Sequence, residues 1–143
     1  MNEVPYGRAY KTWDQEFGDT LLRITRLGLG LIVIAHAEIK TVTEKDDQNR
    51  DIEYETVRPA LDHRAVKIIN PLVDIIGYIA LDWDEEGNAV RTLYTRATPT
   101  VLAGSRFKYL PDKIPFGYEE LQYAVTQAIL KGKEKTGTLL PTK

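Results

Sequence analysis

The 143-residue sequence predicts an α/β fold with a central apolar strand, flanking helices and an antiparallel β-hairpin toward its C-terminal side. Three observations carry this. The run Leu29-Gly30-Leu31-Ile32-Val33-Ile34-Ala35 stops on His36 without any alternation. A strand with one wet face alternates apolar and polar residues, so an unbroken run implies two covered faces, as in the middle of a parallel sheet. A helical stripe of apolar residues precedes that run, joined to it through Gly28, and a short glycine-containing link from helix to strand is an α/β connection. Downstream, two β-favouring runs flank Gly87-Asn88, which is hairpin turn chemistry.

The elements follow in order. Tyr10, Trp13, Phe17, Leu21, Ile24 and Leu27 recur at spacings of three and four with Lys11, Asp14, Glu16 and Arg23 between them, the pattern of an amphipathic helix that Gly28 ends. The apolar strand then places His36 at its carboxyl edge, where open α/β sheets bind ligands. From 38 to 59, two β-favouring arms surround the charged, glycine-free stretch Glu44-Lys45-Asp46-Asp47-Gln48-Asn49-Arg50-Asp51, which predicts a projecting hairpin with a solvated tip. Leu61, Ala65, Ile68, Ile69 and Leu72 predict a short helix limited by Pro71. A strand over 74–81, a turn over 82–88 and an alternating strand over 89–96 form the second hairpin. A last helix is expected from Tyr118 to about Leu130, then a flexible, lysine-containing tail over 132–143.

Composition bounds the function. At 43% hydrophobic and 28% charged, the chain reads as one soluble domain over 1–143. A formal net charge of -2 supplies no global basic field, so nucleic-acid contact requires a local patch or an assembly. The absence of cysteine excludes disulfides and thiolate metal sites and suits the cytoplasm. Met-Asn-Glu-Val-Pro has neither the basic start nor the apolar core of a signal peptide, and no apolar run approaches the ~20 residues of a membrane helix. No membrane partner is expected.

Taken in order, "IVIAHAE", "LVDIIGYI" and "AGSRFKYLP" resemble the C-terminal half of bacteriophage RecA-like ATPases, AAA-type P-loop ATP-binding proteins linked to recombination and single-strand annealing. The resemblance covers roughly Trp13 to Val125 and implies a partial RecA-like P-loop NTPase core, located in the host cytoplasm if phage-encoded. Such enzymes cradle the triphosphate with G-x-x-x-x-G-K-[ST] and hold magnesium partly through a strand-end carboxylate. Neither element is present: Gly132-Lys133 has no phosphate loop before it, and Gly28 and Gly30 lack the lysine. The resemblance therefore implies a half-protein lacking the Walker A and Walker B part. ATP and Mg2+ are then expected only in a completed assembly, with no cofactor and no catalysis for this chain alone. An apolar strand deprived of its neighbours is a template for pairing with another chain. The expected partner is a complementary Walker A-containing chain or a homo-oligomer; a non-enzymatic binding or regulatory module, pairing with itself or with a full-length ATPase, is the alternative.

Three groups of candidate residues follow. The resemblance gives His36 the sensing of the terminal phosphate, a role that an imidazole able to donate and accept one hydrogen bond each can fill, against the plainer reading of a strand-end histidine bonded to backbone. Arg106 and Lys108 alternate with Ser105 and Phe107, so an extended segment would point both cations to one side. The resemblance implies that such a pair reaches the γ-phosphate held by a neighbouring subunit, against the reading of two solvated surface cations. Lys40, Lys45, Arg50 and Arg58 are candidates for nucleic-acid phosphates and Tyr54 for stacking on a base of single-stranded DNA, although Glu44, Asp46, Asp47, Asp51, Glu53 and Glu55 cancel their charge.

Other chemistries find no support. Asp82, Asp84, Glu85 and Glu86 read as a hairpin tip, since the EF-hand spacing is not met. His63 and His36 without cysteines make a poor metal site, so no metal is expected. A nucleophile elbow, G-x-S-x-G, is absent.

Overall fold

The computed structural model describes residues 7–137, which divide into two units: one formed by the chain up to Ala37 with Pro59–Val73, the other by Glu38–Arg58 with the chain from Asp74 onward. The first contains helices α1 (Arg8–Thr25) and α2 (His63–Ile69). The expected stripe buries Leu21, and Trp13 stacks on Phe17 at 4.9 Å between ring centroids. Arg26 and Leu27 close the last turn of α1 onto Leu22 and Ile24, and Gly28 follows in the left-handed region at φ 71°, as a terminating glycine should. In α2 the Asp62 carboxylate caps the Arg64 amide, and Ala65 is buried. Gly18 of α1 faces the Ile68 side chain of α2.

The central strand is not formed. Residues 29–36 belong to no strand, and no backbone hydrogen bond joins 29–35 to any described residue. Leu29 is 70% exposed, Ile32 66% and Ile34 88%. Apolarity makes a segment suited to a covered position, but a strand exists only by pairing, and among the described residues none lies alongside to supply the partner groups. Among the described residues the expected parallel sheet is likewise missing: the strands form small antiparallel sheets, with an isolated parallel bridge at Val57 and Val101.

The second unit begins with the projecting hairpin, β1 (Ala37–Lys45) and β2 (Asp51–Pro59). The expected 74–81 strand is interrupted at Gly77 into β3 (Ile75–Ile76) and β4 (Tyr78–Trp83), and Leu93 lies over that glycine so closely that a Cβ there would sit 2.6 Å from its Cδ1. β5 (Ala89–Tyr94) completes the second hairpin, β6 (Gly104–Ser105) pairs with β3, and β7 (Lys113–Pro115) adds a third strand to β4 and β5. Helix α3 (Tyr118–Gly137) lays Leu121, Ala124, Val125 and Ala128 into a core with Leu110, Ile114 and Phe107. Of the tail expected from 132, residues 132–137 continue α3, and 138–143 lie outside the described residues.

Candidate functional site

His36 follows the exposed apolar run and immediately precedes β1. Its carbonyl accepts a hydrogen bond from the Ala60 amide at 2.7 Å, which ties this point of the chain to the segment leading into α2. The imidazole is exposed. His36 belongs to the first unit, and the other candidate residues belong to the second.

Arg106 and Lys108 do not lie on an extended segment. β6 ends at Ser105, whose hydroxyl accepts from the Phe107 amide, and the Leu110 amide donates to the Phe107 carbonyl at 3.0 Å, closing a turn. The alternation that would have aligned the two cations is therefore lost. The Arg106 amide donates to the Asp74 carbonyl, and its guanidinium lies 3.4 Å from the Asp74 carboxylate. The Lys108 ammonium lies 5.7 Å from the centre of the Tyr109 ring.

In the β1–β2 hairpin the cations are largely matched. Arg58 pairs with Glu38 across the strands at 2.8 Å, Lys45 with Asp51 at 3.0 Å and Arg50 with Asp46 at 2.7 Å. Tyr54 bonds the Glu44 carboxylate, which raises its phenol above the ordinary value. Lys40 is exposed. The solvated tip is an ordered turn: the Asp46 carboxylate accepts from the amides of Gln48 and Arg50, and Asn49 takes the left-handed conformation at φ 60°.

The acidic stretch at 82–86 divides into two tasks. Asp84 closes the second hairpin through the amides of Glu86 and Asn88. Asp82 accepts from the Tyr94 hydroxyl at 2.7 Å and faces Lys113 at 3.9 Å, so its carboxyl titrates below its ordinary range, the Tyr94 bond being the largest cause. Lys113 also lies 4.6 Å from the centre of the Tyr94 ring, and its ammonium is raised chiefly by Tyr94. No group of three or more metal-ligating side chains occurs among the described residues.

A family model described as an AAA domain matches residues 1–107. The chain belongs to the AAA domain family. That membership marks it as a nucleotide-binding, ATPase-like module, and the mixed α/β architecture is compatible with it. No curated protein and no solved structure matches the chain. Among the described residues of this AAA domain, no helix is long and apolar enough to cross a membrane.

Sequence reasoning missed a second set of polar groups, beyond the matched residues. Lys108, Lys131 and Lys135 gather around the ring of Tyr109, with their ammonium nitrogens 5.7, 5.8 and 5.1 Å from its centre. The available signal was the four-residue spacing of Tyr123, Gln127, Lys131 and Lys135, which sets each beside the next along α3.

Proposed function

We propose that this AAA domain is the sensing and inter-subunit part of a DNA-recombination ATPase of the phage RecA-like kind, completed by a chain that brings the phosphate loop and the magnesium carboxylate. The observation that carries the reading is the exposed, unpaired apolar run ending on His36. A ribbon with Leu29, Ile32 and Ile34 turned to water, and with its amides and carbonyls unmatched by any described residue, offers a second chain both hydrogen-bonding edges and apolar contact. A strand added alongside this run would bring its owner next to His36.

In the completed assembly the His36 imidazole senses the terminal phosphate, and Arg106 with Lys108 supplies positive charge to the nucleotide of a neighbouring subunit. In that assembly Arg106 leaves the Asp74 carboxylate to reach the phosphate. An arginine acting in this way on a phosphoryl transfer contributes about 10³- to 10⁵-fold in kcat. ATP and Mg2+ belong to that assembly. The rival reading, a non-enzymatic module pairing with itself or with a full-length ATPase, rests on the same exposed ribbon, so occupancy of the ribbon must be measured.

The test is native mass determination and ATP turnover for the chain alone and mixed with a phosphate-loop polypeptide encoded beside it. The chain alone should hydrolyse ATP at background, and the mixture should form a stable complex with turnover that Arg106→Ala lowers at least a thousandfold. Ile32→Lys/Ile34→Lys should abolish the complex. Turnover by the chain alone would refute the division of labour, whereas a homodimer lost in the double-lysine variant would favour the rival.

A further inference from the structure

Two groups of cations in the second unit differ in how their charge is met. Those of the β1–β2 hairpin named above are matched to carboxylates at 2.7–3.0 Å, except the exposed Lys40. Lys108, Lys131 and Lys135 differ: among the described residues none of the three has an ion-pair partner, yet all three ammonium groups lie within 6 Å of one ring centre. Like charges held together repel, and the negative face of an aromatic ring offsets only part of that repulsion. The favourable field at the C-terminal end of α3 accounts for Lys135 in its last turn, but not for Lys108, which arrives from the turn after β6. A bound anion would relieve the repulsion.

The surroundings say which kind. A groove of about 720 Å³ runs beside Tyr109, bordered by Tyr123, Gln127 and Lys131 of α3 and by Pro111 and Lys113. Tyr123 is 68% exposed. Lys131 and Lys135 stand one turn apart, about 6 Å along the axis, and continue the four-residue steps that begin at Tyr123 and Gln127. Glu120 and Glu134 also border the groove, but the Glu120 carboxylate folds back onto Gly117 at the start of α3, the end of a helix where negative charge is favoured. The exposed ring of Tyr123, with the half-buried Tyr109 ring and its surrounding ammonium groups further along α3, suits a ligand that carries planar bases and phosphates together along a chain.

We propose that the groove beside Tyr109, together with the lysines gathered around that ring, binds single-stranded nucleic acid, with Lys131 in the groove and Lys108 and Lys135 outside its lining, all on phosphates, and Tyr123 stacking on a base. Every residue of this surface lies beyond the 1–107 segment that matches the AAA domain model, so the inference does not rest on the proposed ATPase role.

The test is fluorescence anisotropy of a labelled oligothymidylate with the full chain, repeated over a salt series. Lys131→Gln/Lys135→Gln leaves Lys108 in place; it should weaken binding about tenfold at moderate salt and make the log–log salt slope shallower by about 1.4. Tyr123→Ala should weaken binding at least about fivefold while leaving the slope unchanged. These side chains are exposed, and an unchanged thermal unfolding midpoint confirms that the variants are folded. Absence of binding by the parent chain would overturn the proposal. Equal binding by the double-glutamine variant would also do so, as would loss of binding in Lys45→Gln/Arg50→Gln alone. A heparin complex as tight as the oligonucleotide complex, with neither affected by Tyr123→Ala, would reduce the groove to a polyanion surface and equally overturn it. Because this readout needs neither ATP nor a partner chain, its failure is separable from failure of the ATPase reading.

Discussion

The two hairpins of the second unit close with one turn and differ in everything beyond it. In each, an aspartate opens a five-residue turn: Asp46 to Arg50 in the first, Asp84 to Asn88 in the second. The opening amide donates to the carbonyl of the fifth residue at 2.9 and 3.0 Å, and the fourth residue, Asn49 or Gly87, sits in the left-handed region. The aspartate carboxylate takes the amides of the third and fifth residues in both. This is the three-residue hairpin loop with a left-handed residue before the second strand. Beyond the turns, β5 of the second hairpin is flanked by β7 and buries Leu93. β1 and β2 instead carry Ile39 and Ile52 in exposed positions and attach through Val57, which donates to Thr100 and accepts from Leu102. Turn chemistry sets where a chain reverses; burial sets how firmly the arms hold, since a two-stranded ribbon alone is marginal in water.

The largest expected effect tests burial. Ile114→Ala, in β7 beneath α3, should lower stability by about 2–5 kcal/mol in urea unfolding, because it opens a cavity in the core. Ile52→Ala, on β2, should change it by less than about 0.5 kcal/mol, as for an exposed site. Equal losses would mean that the first hairpin is buried by something other than the described contacts.

The next effect tests the turns alone. Gly87→Ala forces a side chain into the left-handed region at φ 81°, where no neighbouring atom crowds it, so the loss of about 1–2 kcal/mol is purely conformational. Asn49→Gly should leave the fold intact and slightly stabilise the first turn, since glycine removes the residual strain that asparagine tolerates. An unfolding midpoint unmoved by Gly87→Ala would contradict the shared turn geometry.

The same contrast explains what could be read from the residues. Helices α1 and α2 and both hairpins were legible, because apolar spacing, Asp62, Gly28 and Gly87 are local signals that act over a few residues. The central strand was not, because Leu29 to Ala35 declares a need for two covered faces without declaring who covers them. The alternation argued for Arg106 and Lys108 failed for a different reason: it has meaning only in an extended segment, and the Phe107–Leu110 turn ends that segment. Mixed α/β architecture and the nucleotide-binding family were within reach of the sequence. The Tyr109 cluster was not, since Lys108 and Lys135 meet only when α3 folds back over the preceding turns.

The smallest effect concerns acid. Asp46 and Asp84 are both held below the ordinary carboxylate range, first by the amides of Arg50 and Asn88 respectively, and Asp82 is held there by Tyr94. In each case the unfolded chain takes up its proton before the folded one as pH falls. The stabilisation is therefore fully present above the ordinary carboxylate range and is lost as pH drops through the lowered folded values. Asp84 is exposed, Asp82 half-buried and the Asp46 side chain only 14% exposed, and the loss should fall unequally. The second hairpin loses a turn carboxylate and the Asp82 link among its strands, whereas the first loses its turn and keeps the backbone attachment at Val57. In an NMR titration the amides of Gln48, Arg50, Glu86 and Asn88 should move together below the ordinary carboxylate range, with the Tyr94 and Lys113 signals following only in the second hairpin. Asp84→Ala should erase the Glu86 and Asn88 response and spare Gln48 and Arg50; a response surviving there would show that the carboxylate does not organise the turn.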